Sequence, residues 1–201
     1  LTVTNDGFFG SGYFRYRPVD PETGRLAKSC EYPINSDLEY LWTAALWFGA
    51  VVGRDTLVSI GAGMYYWNKE LWPDNGEKGK MIRRSSLPFS IHHSDSAVSE
   101  EDIIAYYTDT LTNPSFVRED PIDNRPHRPL HLEVKQSSYA WSYPYAEDFI
   151  LLDFEIKNIG RFPLRQLYIG LVVEAIVFHE SKSDADETWR DALEQARVDN
   201  L

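Results

Sequence analysis

A chain of 201 residues with 43% hydrophobic and 14% aromatic side chains is too apolar to be disordered, and its length suits one domain with a sizeable core. The 31 acidic and 20 basic residues give a formal net charge of -11, which repels nucleic-acid phosphates and anionic membranes and excludes both as primary partners. The single cysteine, Cys30, excludes an internal disulfide, and the longest apolar stretch, residues 41–53, is too short to insert across a membrane.

The first part of the chain is predicted to form strands separated by turns. Side chains alternate in GYFRYRPV, residues 12–19, and Pro21 and Gly24 follow where a tight turn needs them. The runs ALWFGAVV and TLVSIG, residues 45–52 and 56–61, are separated by three residues, one of them glycine. This spacing predicts a β-hairpin.

Two long loops alternate with two further strands in the middle of the chain. Residues 67–96 mix Gly, Pro, Asn and charge, which predicts a long loop with one short strand at residues 87–91. Residues 101–111, EDIIAYYTDTL, are β-type residues and predict a strand. Residues 112–130 contain four prolines and predict a second irregular loop, and LHLEVKQSSYAWSYPY, residues 130–145, predicts the next strand.

The last two strands are predicted in ILLDFEIKNIGRFPLRQLYIGLVVEAIV, residues 150–177, as a hairpin in the core of the fold. The first strand alternates apolar and charged residues, so one of its sides should face solvent. The second, residues 167–177, is apolar on nearly both faces, which predicts a central strand covered on both sides. Seven side chains are expected to be buried together: Leu152, Phe154, Ile156, Leu167, Ile169, Leu171 and Val173.

Only the end of the chain predicts a helix. Residues 183–199 offer Ser183 as the N-cap and place Trp189, Leu193 and Ala196 on one face. The whole pattern predicts an all-β fold, an antiparallel β-sandwich with long loops and one short C-terminal helix. We assign the sandwich domain to residues 1–180 and the helical segment to residues 181–201. The chain opens with LTVTNDG and no initiator Met, so we expect a processed or excised portion of a longer gene product.

A row of aromatic residues is the strongest candidate for a binding site. In YAWSYPY the rings recur at every second position, so an extended segment would point them all the same way. Sugars stack on such rings, whereas the alternative interpretation is core between two sheets. We predict a mixed case, with Trp141 buried and with Tyr143 and Tyr145 nearer the rim. The candidate ligand-binding residues are Tyr139, Trp141, Tyr143, Tyr145, Glu147 and Asp148.

Other groups that could carry chemistry have weaker patterns. His127 and His131 are separated by a proline, and a strand would place them about 13 Å apart, too far to share an ion. Ser59 lacks the preceding glycine that a nucleophile elbow needs. Acidic groups at residues 100–102, 119–123 and 147–148 could bind calcium or supply a pair of catalytic carboxylates. We predict no catalytic residue, no metal ligand and no cofactor, with calcium as the alternative.

Several segments together resemble a known group of proteins. They are TNDGFFG, EYLWTAALWFGAVVGRDTLVSIG, SEEDIIAYYTDT, HRPLHLEVKQSSYAWSYPYAEDFILLDFEIKNIG and LRQLYIGLVV. They resemble the N-terminal β-rich region of large uncharacterised secreted bacterial proteins, which often end in a type IX secretion sorting domain. The resemblance covers roughly half the chain and implies a β-rich fold and secretion, but no catalytic residue. Those proteins place acidic residues just after the YIGL strand, whereas this chain has VVEAIVFHES, in which no other acidic residue follows Glu174 until Glu180.

These observations predict a non-catalytic extracellular or cell-surface β-sandwich domain with a structural or glycan-binding role. The alternatives are a glycoside hydrolase-like enzyme using a carboxylate pair and a calcium-stabilised adhesion module. The expected partners are a glycan or another cell-surface component, together with other domains of the same longer chain. The expected location is secreted or on the cell surface.

Overall fold

The computed structural model describes residues 1–10, 19, 24, 27–62, 69–120 and 124–179. Its elements are almost all strands, so the all-β fold class is confirmed. The predicted strand at residues 12–19 and the predicted C-terminal helix lie outside the described residues, apart from Val19. Within the part of the chain that is described, no helical segment has the length and apolarity required to cross a lipid bilayer.

Eleven strands and one short 3-10 helix make up the described elements. The strands are β1 Phe8–Phe9, β2 Leu38–Glu39, β3 Thr43–Val52, β4 Asp55–Ile60, β5 Trp72–Pro73, β6 Ile82–Arg84, β7 Glu101–Thr108, β8 Leu132–Ala140, β9 Leu151–Asn158, β10 Leu164–Glu174 and β11 Phe178–His179. The 3-10 helix is Gly76–Gly79. The chain forms two compact units, one from residues 1–4, 8–47 and 170–201, the other from residues 5–7 and 48–169.

A four-stranded sheet has the order β1-β3-β10, with β4 paired to β3 as well. The predicted hairpin of β3 and β4 is therefore confirmed. Its turn contains Gly53 at φ 65°, a left-handed conformation that only glycine adopts without steric cost. Burial follows strand periodicity along the second half of β3, where Phe48 and Ala50 are buried. A separate two-stranded sheet pairs β11 with β2.

A five-stranded antiparallel sheet has the order β5-β7-β8-β9, with β6 also paired to β7. Its register places Ala105 opposite Gln136 and Gln136 opposite Phe154 on one face. That face is buried in the two central strands and half-buried in β9. On the other face Lys135 pairs with Glu155 and forms an ion pair with it. The predicted strands at residues 101–111 and 130–145 are confirmed in this sheet, although both end earlier than expected.

The predicted hairpin at residues 150–177 is wrong, because β9 pairs with β8 whereas β10 joins the sheet of β3. The alternation of β9 is confirmed, and Leu152, Phe154 and Ile156 are half-buried on its apolar side. The predicted burial of β10 is wrong. An apolar strand is covered on both faces only where a layer packs on each, and the described residues leave four of its expected core side chains exposed: Leu167, Ile169, Leu171 and Val173.

The loop at residues 69–100 also differs from expectation. Residues 87–91 form turns rather than a strand, with Ser90 N donating to Leu87 O over 3.1 Å. Phe89 is fully exposed, so the apolar residues of this segment are not a buried strand. This region contains two short strands, β5 and β6, and each pairs with β7. β6 begins five residues before the predicted strand. The apolar residues at 87–91 did not by themselves distinguish a turn from a short strand.

Candidate functional site

The aromatic row begins on β8 and leaves the sheet after Ala140. Ala146 N and Glu147 N both donate to Tyr143 O, over 2.7 and 2.8 Å, so residues 143–147 form a tight turn. The prediction that all four rings project from one extended segment is therefore wrong beyond Ala140. Pro144 lies inside this turn, because its fixed φ suits a turn and its missing N–H does not suit a strand.

The sheet end of the row forms a cluster of three rings. The Tyr139 and Trp141 ring centroids lie 6.4 Å apart at 34°, and those of Trp141 and Phe149 lie 6.4 Å apart at 53°. Trp141 is half-buried, so its predicted burial between layers is wrong. Both ring pairs have the tilted geometry and spacing of favourable aromatic contacts.

Sequence reasoning missed Phe149, although the strand register could have found it. Tyr139 pairs with Leu151, and continuing that antiparallel register for two residues sets Trp141 opposite Phe149. The row was treated as one segment, whereas the cluster is made by two chain segments facing each other. Finding Phe149 therefore required the pairing of β8 with β9.

The turn end of the row presents a parallel pair of rings to solvent. The Tyr143 and Tyr145 ring centroids lie 5.5 Å apart with planes only 12° from parallel. Tyr143 is 45% exposed and Tyr145 is 82% exposed, so their predicted position near the rim is confirmed. Ala146, the next residue, is buried and fixes the turn beneath the rings. We call Tyr139, Trp141, Tyr143, Tyr145 and Phe149 the aromatic surface.

Polar groups border the aromatic surface. Glu147 and Asp148 follow directly in the chain and are exposed, as a group that captures sugar hydroxyls must be. Ser142 N donates to the Glu100 carboxylate over 2.6 Å, which fixes the chain where it leaves the sheet. Neither Glu147 nor Asp148 lies in the water-excluded setting that the acid of a glycosidase occupies. This arrangement suits binding better than acid catalysis.

A buried carboxylate anchors the foot of this region. Asp102 accepts hydrogen bonds from Val98 N and Ser99 N, both over 2.8 Å, and from Ser99 Oγ over 2.5 Å. Ser99 Oγ in turn accepts one from Ala140 N over 3.2 Å, at the last residue of β8. Backbone donors of two segments are therefore satisfied at one point. The end of β8, from which the aromatic row continues, is therefore held in place by these hydrogen bonds.

A second polar cluster surrounds His127, whose side chain is only 2% exposed. Its Nε2 lies 2.7 Å from the Asp109 backbone oxygen, and its Nδ1 lies 3.0 Å from Glu70 Oε1. The Nδ1 contact does not meet the criteria for a hydrogen bond, and we describe it as an ion pair with the Glu70 carboxylate. With Leu57, Val58, Arg125 and Arg128, the His127 and Glu70 side chains line a small cleft.

Asp109 connects this cluster to three parts of the chain. Its carboxylate accepts hydrogen bonds from Ser59 Oγ over 2.7 Å, from Leu130 N over 2.6 Å and from Leu132 N over 2.7 Å. Ser59 Oγ therefore points at Asp109, while the His127 ring contacts the Asp109 backbone instead of the hydroxyl. A nucleophilic triad needs the base on the hydroxyl, so this arrangement is a buried polar clamp.

The charge state of His127 follows from its surroundings. Burial by itself lowers the pKa of the imidazole, but the contact with Glu70 and the Asp109 backbone acceptor raise it by more, so the pKa lies above the ordinary value of 6.5. His131 does not join the cluster as a metal ligand would, because its side chain is exposed. Among the described residues, no three His, Cys, Asp or Glu side chains are grouped to hold a metal ion.

Comparisons with known proteins give no family assignment for the chain. No family model, no curated protein and no solved structure matches it. The case for function therefore depends on the geometry of the chain's own residues.

Proposed function

We propose that this chain is a non-catalytic extracellular or cell-surface domain that binds glycans through the aromatic surface. The observation that carries the proposal is the exposed, nearly parallel pair of Tyr143 and Tyr145 on a turn that is fixed from below. Large aromatic side chains are highly buried on average, and a contiguous exposed group of them marks a contact site more often than a single exposed ring does. Pyranose rings stack their C–H faces on such planes, and phenol hydroxyls reach sugar hydroxyls.

The two ends of the aromatic surface suggest more than one sugar-binding position. The parallel tyrosine pair forms one position, and the tilted cluster around Trp141 forms another. Glu147 and Asp148 add acceptors for hydroxyl groups and repel anionic sugars. The proposed ligand is accordingly a neutral oligosaccharide.

The sandwich arrangement belongs to this proposal as well. It is supported by Ser59 on β4, which hydrogen-bonds Asp109 just after β7, so two sheets meet at this point. Buried apolar side chains from both sheets, such as Leu57 and Tyr107, supply the kind of core that a sandwich requires. Secretion to the cell surface rests on the sequence resemblance, and other domains of a longer chain remain its expected neighbours.

Binding can be tested by affinity electrophoresis and calorimetry with a panel of neutral polysaccharides and their oligosaccharides. Stacking of a nucleic-acid base on one aromatic side chain contributes about 1 to 3 kcal/mol, and we take the same range for a sugar. We therefore expect Tyr145→Ala and Tyr143→Ala to weaken binding by roughly 5- to 150-fold each. Tyr168→Ala is the matched control, because Tyr168 is a tyrosine of similar exposure, 73%, outside the aromatic surface.

Three outcomes would contradict the proposal. The first is that the wild-type protein binds no member of the panel, and the second is that Tyr168→Ala weakens binding as much as Tyr145→Ala. The third is release of reducing ends from a polysaccharide that stops in Glu147→Gln or Asp148→Asn, which would establish the hydrolase alternative.

A further inference from the structure

Both ring nitrogens of His127 lie within 3.0 Å of an oxygen atom. A backbone carbonyl oxygen only accepts, so Nε2, 2.7 Å from Asp109 O, carries a proton. Nδ1 lies 3.0 Å from the Glu70 carboxylate, where a lone pair would be repelled and a second proton attracted. The site is therefore built for the imidazolium form, in a place almost closed to water.

The two partners of the ring are held in position by other contacts. Glu70 Oε2 accepts a hydrogen bond from Ile60 N over 2.9 Å, and Glu70 N donates one to Ile60 O over 2.9 Å. Asp109 is held through its carboxylate by three donors, described above. Neither partner can turn away without breaking its own hydrogen bonds, so a change in the ring's charge acts on the segment that carries His127.

The described contacts of this segment include backbone hydrogen bonds within the loop and an ion pair to β4. Asn124 N donates to Asp120 O and Asp120 N donates to Arg125 O, both of them bonds within the loop. Arg128 reaches Asp55 on β4 over 2.5 Å, in an exposed ion pair of the kind that contributes little. The next firm attachment is Leu130 N on the Asp109 carboxylate. Between these two ends, the His127 side chain makes a buried contact with Glu70 and the Asp109 backbone.

We propose that His127 is a pH-sensitive latch, which holds residues 124–129 against Glu70 and the end of β7 when its ring is charged and releases them when it is neutral. Several charged groups act on this equilibrium. Glu70 and Asp109 favour the charged ring. Arg125 and Arg128 line the same cleft and carry charge of the same sign as the imidazolium. Asp55 on β4 offsets Arg128, and the other β4 residues at the cleft, Leu57 and Val58, are apolar.

The direction of the pH effect follows from the raised pKa. A histidine whose folded pKa exceeds 6.5 contributes stability that is fully present below 6.5. That contribution is lost as pH rises through the folded value. The latch is closed in mildly acidic solution and opens on the alkaline side of the folded pKa.

NMR titration of the histidine rings and of the backbone amides tests the latch in the intact chain. We expect the His127 ring to titrate above 6.5 and the amides of Asn124, Arg125 and Arg128 to shift with the same midpoint. Glu70→Gln, which keeps the size of the side chain and removes its charge, should lower that midpoint by about one pH unit or more. His127→Gln should abolish the coupled amide shift.

His93→Gln is the matched control, because His93 is an exposed histidine that lies 3.8 Å from Asp95. It should leave the coupled transition unchanged. A His127 midpoint at or below 6.5, or a loop transition that persists in His127→Gln, would overturn the proposal. If His127→Gln does not fold, the wild-type and Glu70→Gln titrations decide the question, since both keep the ring.

Discussion

Single polar residues organise much of the folded unit formed by residues 48–169. Asp102 and Asp109 are each almost fully buried, and each accepts three hydrogen bonds from the chain around it. A buried carboxylate is costly unless its lone pairs are satisfied, and here backbone N–H and serine hydroxyl groups satisfy them. Their side chains satisfy backbone N–H groups at or just before the starts of β7 and β8.

Asp109→Asn should destabilise the protein by about 2 to 4 kcal/mol. The asparagine NH₂ group, itself a donor, would face a buried N–H or O–H group, which would then have no acceptor. Urea unfolding followed by fluorescence measures the change. Asp55→Asn is the control, since Asp55 is an exposed partner of Arg128 and its loss should cost less than about 1 kcal/mol. Equal losses in both variants would show that the Asp109 hydrogen bonds do not carry the stability assigned to them.

At the scale of elements, local patterns predicted strands better than they predicted partners. The β3–β4 hairpin was predictable because its turn is short and its two strands are neighbours in sequence. β9 was predictable as a strand from its alternation, but its partner is β8 across the turn at residues 143–147. β10 is largely apolar and still joins another sheet with most of its side chains exposed. Composition predicted a strand there, but could not specify what covers it.

Truncating one leucine on a buried strand and one on an exposed strand tests this difference between β8 and β10. Leu132 on β8 is 1% exposed and Leu171 on β10 is 53% exposed, so the same truncation removes very different contacts. Leu132→Ala should cost about 2 to 5 kcal/mol of unfolding free energy, whereas Leu171→Ala should cost less than about 0.5 kcal/mol. Chemical denaturation of the two variants side by side gives both values. A large loss for Leu171→Ala would mean that β10 is covered in solution.

For the whole molecule, the sequence established the class of fold and the strongest candidate for a site. Composition and turn spacing were enough for an all-β chain. The aromatic row was recognisable in the sequence. Its division into a ring cluster and a solvent-facing pair was not, because that division depends on where β8 ends. The Glu70–His127 contact was not predictable, because it joins residues that are far apart in sequence through loops without a regular pattern.

The calcium alternative makes a prediction for the whole molecule. An ion bound only to the folded state at 100 times its Kd would add about 2.7 kcal/mol, which for a chain of this size raises the Tm by roughly 5 to 10 °C. We expect melting curves with calcium and with excess chelator to agree within about 1 °C. Scanning calorimetry measures the Tm with calcium and with chelator. A Tm that falls by several degrees with chelator would favour the adhesion module.

The turn at residues 143–147 lies outside the last paired residues of the sheet, which are Tyr139 and Leu151. Insertions, deletions or substitutions in this turn leave the register of β8 and β9 untouched, because the register is set further down the strands. Ligand preference can therefore diverge between related chains while the scaffold stays constant. Directed evolution of binding should accordingly find most of its tolerated changes within these few residues, with little cost in expression.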